Sequence, residues 1–173
     1  ARRERFGSRD YTSARLVSRG KGDWLHARVE VRAKLPSGVG TWPAIWMLPT
    51  ETKYGGWPAS GEIDVMEHVG FAPDSVHASV HTAAYNHLKG TQRTDRIQIP
   101  DAERAFHVYA MEWTAEGIDF FSGFAGHDVL MDGERVVGVR TGDRGIDKDG
   151  ERKPAFEPGV DIIAKVTIFC DGV

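Results

Sequence analysis

Cysteine is nearly absent: Cys170 stands alone among 173 residues. A single thiol excludes an internal disulfide and a thiolate-built metal site. Helix signals are equally thin, since only "PDAERAF" (100–106) has the form of a capped turn, and it is too short to organise a helix. No apolar run reaches membrane-spanning length, and the opening "ARRERFGSRD" lacks the features of a signal peptide. No membrane partner is therefore expected. Twenty-two Lys and Arg against 25 Asp and Glu leave a formal charge of −3, which gives no electrostatic case for nucleic acid or anionic lipid. Internal repeats and low-complexity tracts are missing as well.

Glycine, tryptophan and short alternating segments are what remain. Twenty glycines and five tryptophans suit a β-rich fold with tight turns and aromatic surfaces. Polar–apolar alternation predicts strands over "TSARLVSR" (12–19) and "WLHARVEVRAKL" (24–35), separated by the turn "GKGD". "PAIWMLP" is an apolar segment between prolines, and "SVHASVHTAAY" (75–85) is a further strand. "NHLKGTQRTDRIQIP" (86–100) reads as a polar loop, and "AFHVYAMEWT" with "GIDFF" as a hairpin around Ala115-Glu116. Beyond Phe121 a second hairpin turns at Asp132-Gly133. "RGIDKDGERKPAFEPG" (144–159) reads as a charged loop, and "VDIIAKVTIFCDGV" (160–173) as a final apolar strand. Many short strands at close spacing predict an all-β sandwich or barrel.

"GEIDVMEHVG" (61–70) places Glu62, Asp64 and Glu67 within six residues of a strand-like run. Side chains alternate along a strand, so Glu62 and Asp64 share a face and Glu67 falls out of step. A bulge at Val65-Met66 would return Glu67 to that face. Three carboxylates would then line one surface, poor for stability and suited to acid–base chemistry. The bland reading is a solvated acidic face on an edge strand.

The stretches "YTSARLVSRGKGDW", "VEVRAKLPSGVGTWPAIWMLP", "GGWPASGEIDVMEHVG", "VHASVHT", "YNH" and "FHVYAMEWT" resemble the family-16 glycoside hydrolases, in particular the bacterial laminarinase (endo-β-1,3-glucanase) branch, from about Asp10 to Phe121. The resemblance implies a jelly-roll β-sandwich whose concave sheet forms a sugar cleft, and a parent family that is secreted or periplasmic. It also implies Glu62 as nucleophile, Asp64 as its electrostatic partner and Glu67 as general acid/base, with β-glucan as partner and no cofactor. Two departures accompany it. The family's strands before "RDYTSARL" and after Phe121 are missing, and residues 122–173 resemble an internal piece of electron-transfer-flavoprotein:ubiquinone oxidoreductase. The expected organisation is a glucanase-like core over 1–121 and a β-rich extension over 122–173, packed on or swapped into the same sandwich. The extension has no Gly-x-Gly-x-x-Gly loop and no cysteine cluster, so it should bring strands rather than redox chemistry.

Retaining glycosidases need two carboxyl groups about 5 to 5.5 Å apart. With the bulge, Glu62 and Glu67 stand about four strand residues apart, roughly 13 Å along the backbone, a gap that inward-leaning side chains largely close. Crowding raises the proton affinity of at least one carboxylate, and Glu67 is the candidate to hold that proton. Trp42 and Trp57 sit in loops and are candidate sugar-stacking residues together with Trp46, while Trp113 reads as core. His81 should neighbour the carboxylate strand, and Arg15 reaches either substrate hydroxyls or an ion pair. His68 falls on the face opposite Glu67 and reads as a packed, satisfied histidine. His77, His87 and His107 show no metal-ligand spacing. The alternatives to a glucanase are an inactive half-cleft that binds glucan and a folded chimera without activity. Because a jelly roll missing strands leaves open edges, a homo-oligomer is expected, with "DIIAKVTIF" crossing to a neighbour.

Overall fold

The computed structural model describes residues 1–124, 126–146, 151–163 and 168–170. Among them every regular element is a strand except one turn of 3₁₀-helix, His87–Lys89. The carboxylate run forms β3 (Glu62–His68) in a four-stranded antiparallel sheet with β2 (Ala44–Met47), β4 (Ser75–His81) and β5 (Arg93–Gln98), ordered β2-β3-β4-β5. A second sheet packs behind it, built from β1 (Arg28–Ala33), β6 (His107–Trp113), β7 (Ile118–Phe124) and the short β13 (Ile168–Cys170), ordered β13-β1-β6-β7. The chain is thus an all-β sandwich of jelly-roll type.

The alternation of "SVHASVH" and "EIDVMEH" explains the layering. Val76 and Met66 turn inward to meet Tyr109 of β6, with Leu35, Ile99 and Ala102 completing the cluster. Each of these is at most 5% exposed. Burial of such side chains contributes about 1.5–3 kcal/mol apiece for the larger ones. Strand β6 is buried along most of its length, as expected of a strand with neighbours on both sides and a sheet in front.

Several sequence expectations shift. Residues 12–19 form no strand; Thr12 alone makes an isolated bridge, to Arg2, and its neighbours to Arg19 lie exposed. Alternation alone does not make a strand: apart from the Thr12 bridge, these residues join no sheet. The predicted loop 86–100 instead holds β5, whose side chains are all exposed, so no apolar face announced it. The charged stretch 144–159 contains a small hairpin, β10 (Arg144–Ile146) with β11 (Arg152–Glu157). The hairpin at Asp132-Gly133 is present as β8 (Gly126–Asp132) and β9 (Arg135–Thr141), and β12 (Asp161–Ile163) joins it alongside β9. Among the described residues the final apolar run holds two strands, and β13 pairs in parallel with β1, Val31 opposite Ile168. Residues 164–167 and 171–173 of that run lie outside the described residues.

Candidate active site

The site is built on β3, and the local register explains how. Asp64 pairs with Ser79 and Glu67 with His77, three residues of β3 against two of β4. On the other side Ile45 pairs with Met66 and its neighbour Trp46 with Asp64. Val65 is thus the extra residue of a bulge, as the out-of-step spacing predicts. Glu62, Asp64 and Glu67 share the outward face with their partners His81, Ser79 and His77. Met66 points into the core. His68 points the same way, 1% exposed, its Nδ1 2.9 Å from the Ser75 carbonyl and its Nε2 3.1 Å from Glu103 Oε1. It is the packed, satisfied histidine expected.

Each outer glutamate accepts a hydrogen bond from an indole. Trp42 Nε1 donates to Glu67 Oε1 at 3.0 Å, and Trp57 Nε1 donates to Glu62 Oε2. Both rings keep an open surface, Trp42 at 69% exposure and Trp57 at 39%. Trp46 stands across from Asp64, but the Arg15 guanidinium covers its ring at 4.4 Å from the centroid. Arg15 therefore makes a cation–π contact. Trp113 is half-buried, edge-on to His26 at 5.5 Å.

Asp64 is the buried member of the triad, 3% exposed. Burial, the nearby Glu67 and Glu62 charges and a hydrogen bond with Glu62 together push its pKa up to about 8. The crowding that the spacing predicts thus raises the proton affinity of the middle carboxylate, with desolvation the largest cause. His81 Nε2 lies 3.3 Å from Asp64 Oδ2, so it does neighbour the strand as expected. Burial, followed by the charge of Arg96, lowers the pKa of His77, which the Glu67 charge only partly offsets. His77 is a neutral imidazole across from Glu67.

Sequence reasoning passed over His77, Ser79 and His87. The first two carried a signal: with His81 they stand at i, i+2 and i+4 of one strand, the spacing of a single face. His87 reaches the site from a loop, and its one signal is its place in the "YNH" stretch. Its ring packs on Trp57 with centroids 4.8 Å apart. Among the described residues no cluster of His, Cys, Asp and Glu could hold a metal ion, and no helix is long and apolar enough to cross a membrane.

Comparison with known proteins places this arrangement. The family model for glycosyl hydrolases family 16 matches residues 3–123. A beta-glucanase of Rhodothermus marinus is 63% identical over 123 residues, 70% of this chain and 43% of that protein. A glucan endo-1,3-beta-glucosidase of Cryptopygus antarcticus is 38% identical over 113 residues, 65% of this chain and 41% of its own length. The X-ray structure of the laminarinase from Rhodothermus marinus superposes with a TM-score of 0.69 at 61% identity, over 70% of this chain and 49% of that one. The chain spans less than half the length of these relatives.

Proposed function

Because the chain belongs to glycosyl hydrolases family 16 over residues 3–123, we propose that it cleaves β-1,3-glucan within laminarin-like chains, with retention at the anomeric carbon. The observation that carries the reading is the bulged strand β3, which turns Glu62, Asp64 and Glu67 to one face with an indole N–H on each outer glutamate. The printed names of the relatives, a beta-glucanase and a glucan endo-1,3-beta-glucosidase, support the linkage.

In this reading Glu62 attacks the anomeric carbon while Glu67 gives its proton to the departing glycosidic oxygen, leaving a glycosyl ester on Glu62. Glu67, now a carboxylate, takes a proton from water, which displaces Glu62 from the same carbon. Asp64, protonated at neutral pH by its raised pKa, hydrogen-bonds Glu62 without adding a second negative charge beside it. That contact also steadies Glu62 as the leaving carboxylate of the second step. The exposed faces of Trp42 and Trp57 offer stacking surfaces for sugar C–H groups, and the reaction requires no cofactor. Trp46, its face covered by Arg15, supports Asp64 from the neighbouring strand instead. The test is reducing-sugar release from laminarin by the purified chain, abolished in Glu62→Gln while the fold persists. Activity retained in that variant would overturn the assignment.

Residues 1–121 form the glucanase-like core of this proposal, and residues 122–173 an extension of different ancestry, a view supported by the family match stopping at residue 123. Having no glycine loop to cradle a pyrophosphate, the extension binds no flavin. A purified protein carrying flavin absorption bands would show otherwise. The assembled form is a homo-oligomer.

A further inference from the structure

The proposed reaction leaves His87 without a role, although His87 is tied into the site. Its imidazole lies against Trp57 with planes inclined by 33°, and it meets His81 edge-on at 5.3 Å. Trp57 is in turn 5.9 Å from His81 and donates its indole N–H to Glu62. Trp57 belongs to the loop Gly55-Gly56-Trp57-Pro58, outside any strand, so sheet pairing does not fix its ring. Two histidines back it, His87 stacked closer at 4.8 Å and the buried His81 at 5.9 Å.

The turn presenting His87 is firmly built. Asn86 is 1% exposed; its Nδ2 donates to the Thr82 carbonyl at 3.0 Å, and its Oδ1 accepts from the Lys89 N–H at 3.3 Å. Thr91 Oγ1 donates to the Ala84 carbonyl at 2.9 Å, and Lys89 Nζ to that of Ala83 at 2.6 Å. Gly90, at φ 65°, closes the turn in a left-handed conformation that a side chain would resist. His87 thus stands on a rigid platform while its partner Trp57 stands on a loop.

We propose that His87 is a positioning residue: its ring face holds the Trp57 indole where it donates to Glu62, and through that hydrogen bond fixes the carboxylate for attack on the anomeric carbon. The proposal rests on the reading of Glu62 as nucleophile. Without the stack the indole swings toward solvent, Glu62 loses a donor, and its side chain leaves the near-attack geometry for part of the time. Aromatic pairs of this kind correspond to about a two- to tenfold change in rate.

The experiment compares His87→Ala, His87→Gln and His87→Phe with the parent chain. The first readout needs no activity: the five indole N–H resonances, with that of Trp57 identified by its loss in Trp57→Phe. In His87→Ala and His87→Gln the Trp57 signal should move upfield and exchange faster with water, while the other four stay in place. His87→Phe should restore it, because a flat ring, not an imidazole nitrogen, does the holding. The second readout is laminarin hydrolysis, where the two ring-deleting variants should lose kcat more than they raise KM and His87→Phe should recover most of it. A Trp57 signal unmoved in His87→Ala overturns the proposal whatever the rates do. A moved signal with undiminished kcat overturns the catalytic part. If the parent chain does not hydrolyse laminarin at all, the hydrolase reading falls, and a moved Trp57 signal rescued by phenylalanine still establishes the positioning contact.

Discussion

Asp64 lies between two glutamates on a strand face and is almost wholly buried, and its proton affinity follows from that place. Its pKa rises from an ordinary 3.8 in the unfolded chain to about 8 in the folded one. Between those values the folded protein binds the proton that the unfolded chain releases, so this group's contribution to stability is full below about pH 4 and declines as pH rises through 8. The slope is at most about 1.4 kcal/mol per pH unit. Asp64→Asn, which keeps the shape and cannot ionise, should flatten that decline. Urea unfolding at pH 5, 6.5 and 8 will read it: the variant should gain on the parent steadily toward pH 8. Parallel curves across that range would show that Asp64 ionises in the fold as it does in the unfolded chain.

Strand β3 acquires its chemistry from its bulge and its ends. One extra residue moves Glu67 from the core face to the open one, and the loop leading into β2 brings Trp42 to meet it. That loop is pinned at Gly70, whose N–H donates to the Thr41 carbonyl at 3.0 Å. A Cβ at Gly70 would sit 1.9 Å from the Gly38 carbonyl oxygen, which is backbone and cannot rotate away. Gly70→Ala should push the 38–42 loop outward, destabilise the chain by about 1–3 kcal/mol as overpacking does, and carry Trp42 off Glu67. Thermal melting and laminarin hydrolysis should fall together. An unchanged melting temperature would mean that the loop yields freely and does not position Trp42.

At the scale of the whole molecule, β13 occupies one flank of β1, and the outer strands of the two sandwich sheets among the described residues are β2, β5, β7 and β13. Strand β5 is guarded by Arg93, Asp95 and Arg96, all exposed, and charges of this kind discourage edge pairing. In the N-terminal stretch, Phe6, Leu16, Val17 and Leu25 are each more than two-thirds exposed. Large apolar side chains left this exposed are what an oligomer contact would cover. The proposed homo-oligomer should therefore bury part of residues 6–25. Sedimentation at micromolar concentration should show a dimer or larger species, reduced to monomer by Leu16→Glu with Leu25→Glu. A compact parent monomer would count against it.

What the sequence determined by itself was local. The period-two patterns of 61–68 and 75–81 dictate strands because alternate residues must face opposite sides, and the odd spacing of Glu67 dictates a bulge for the same reason. The carboxylate triad and its two tryptophans were legible because they lie within 26 residues of one another along the chain. Tertiary structure decided the rest. Strand β5 exists because β4 offers it an edge, whereas 12–19 has the alternation of a strand and joins no sheet. Asp64 holds the raised pKa because the folded sheet buries it between two charges, a matter of desolvation that spacing does not encode. His87 reaches Trp57 only because the 3₁₀ turn folds back over the end of β3, bringing together rings thirty positions apart.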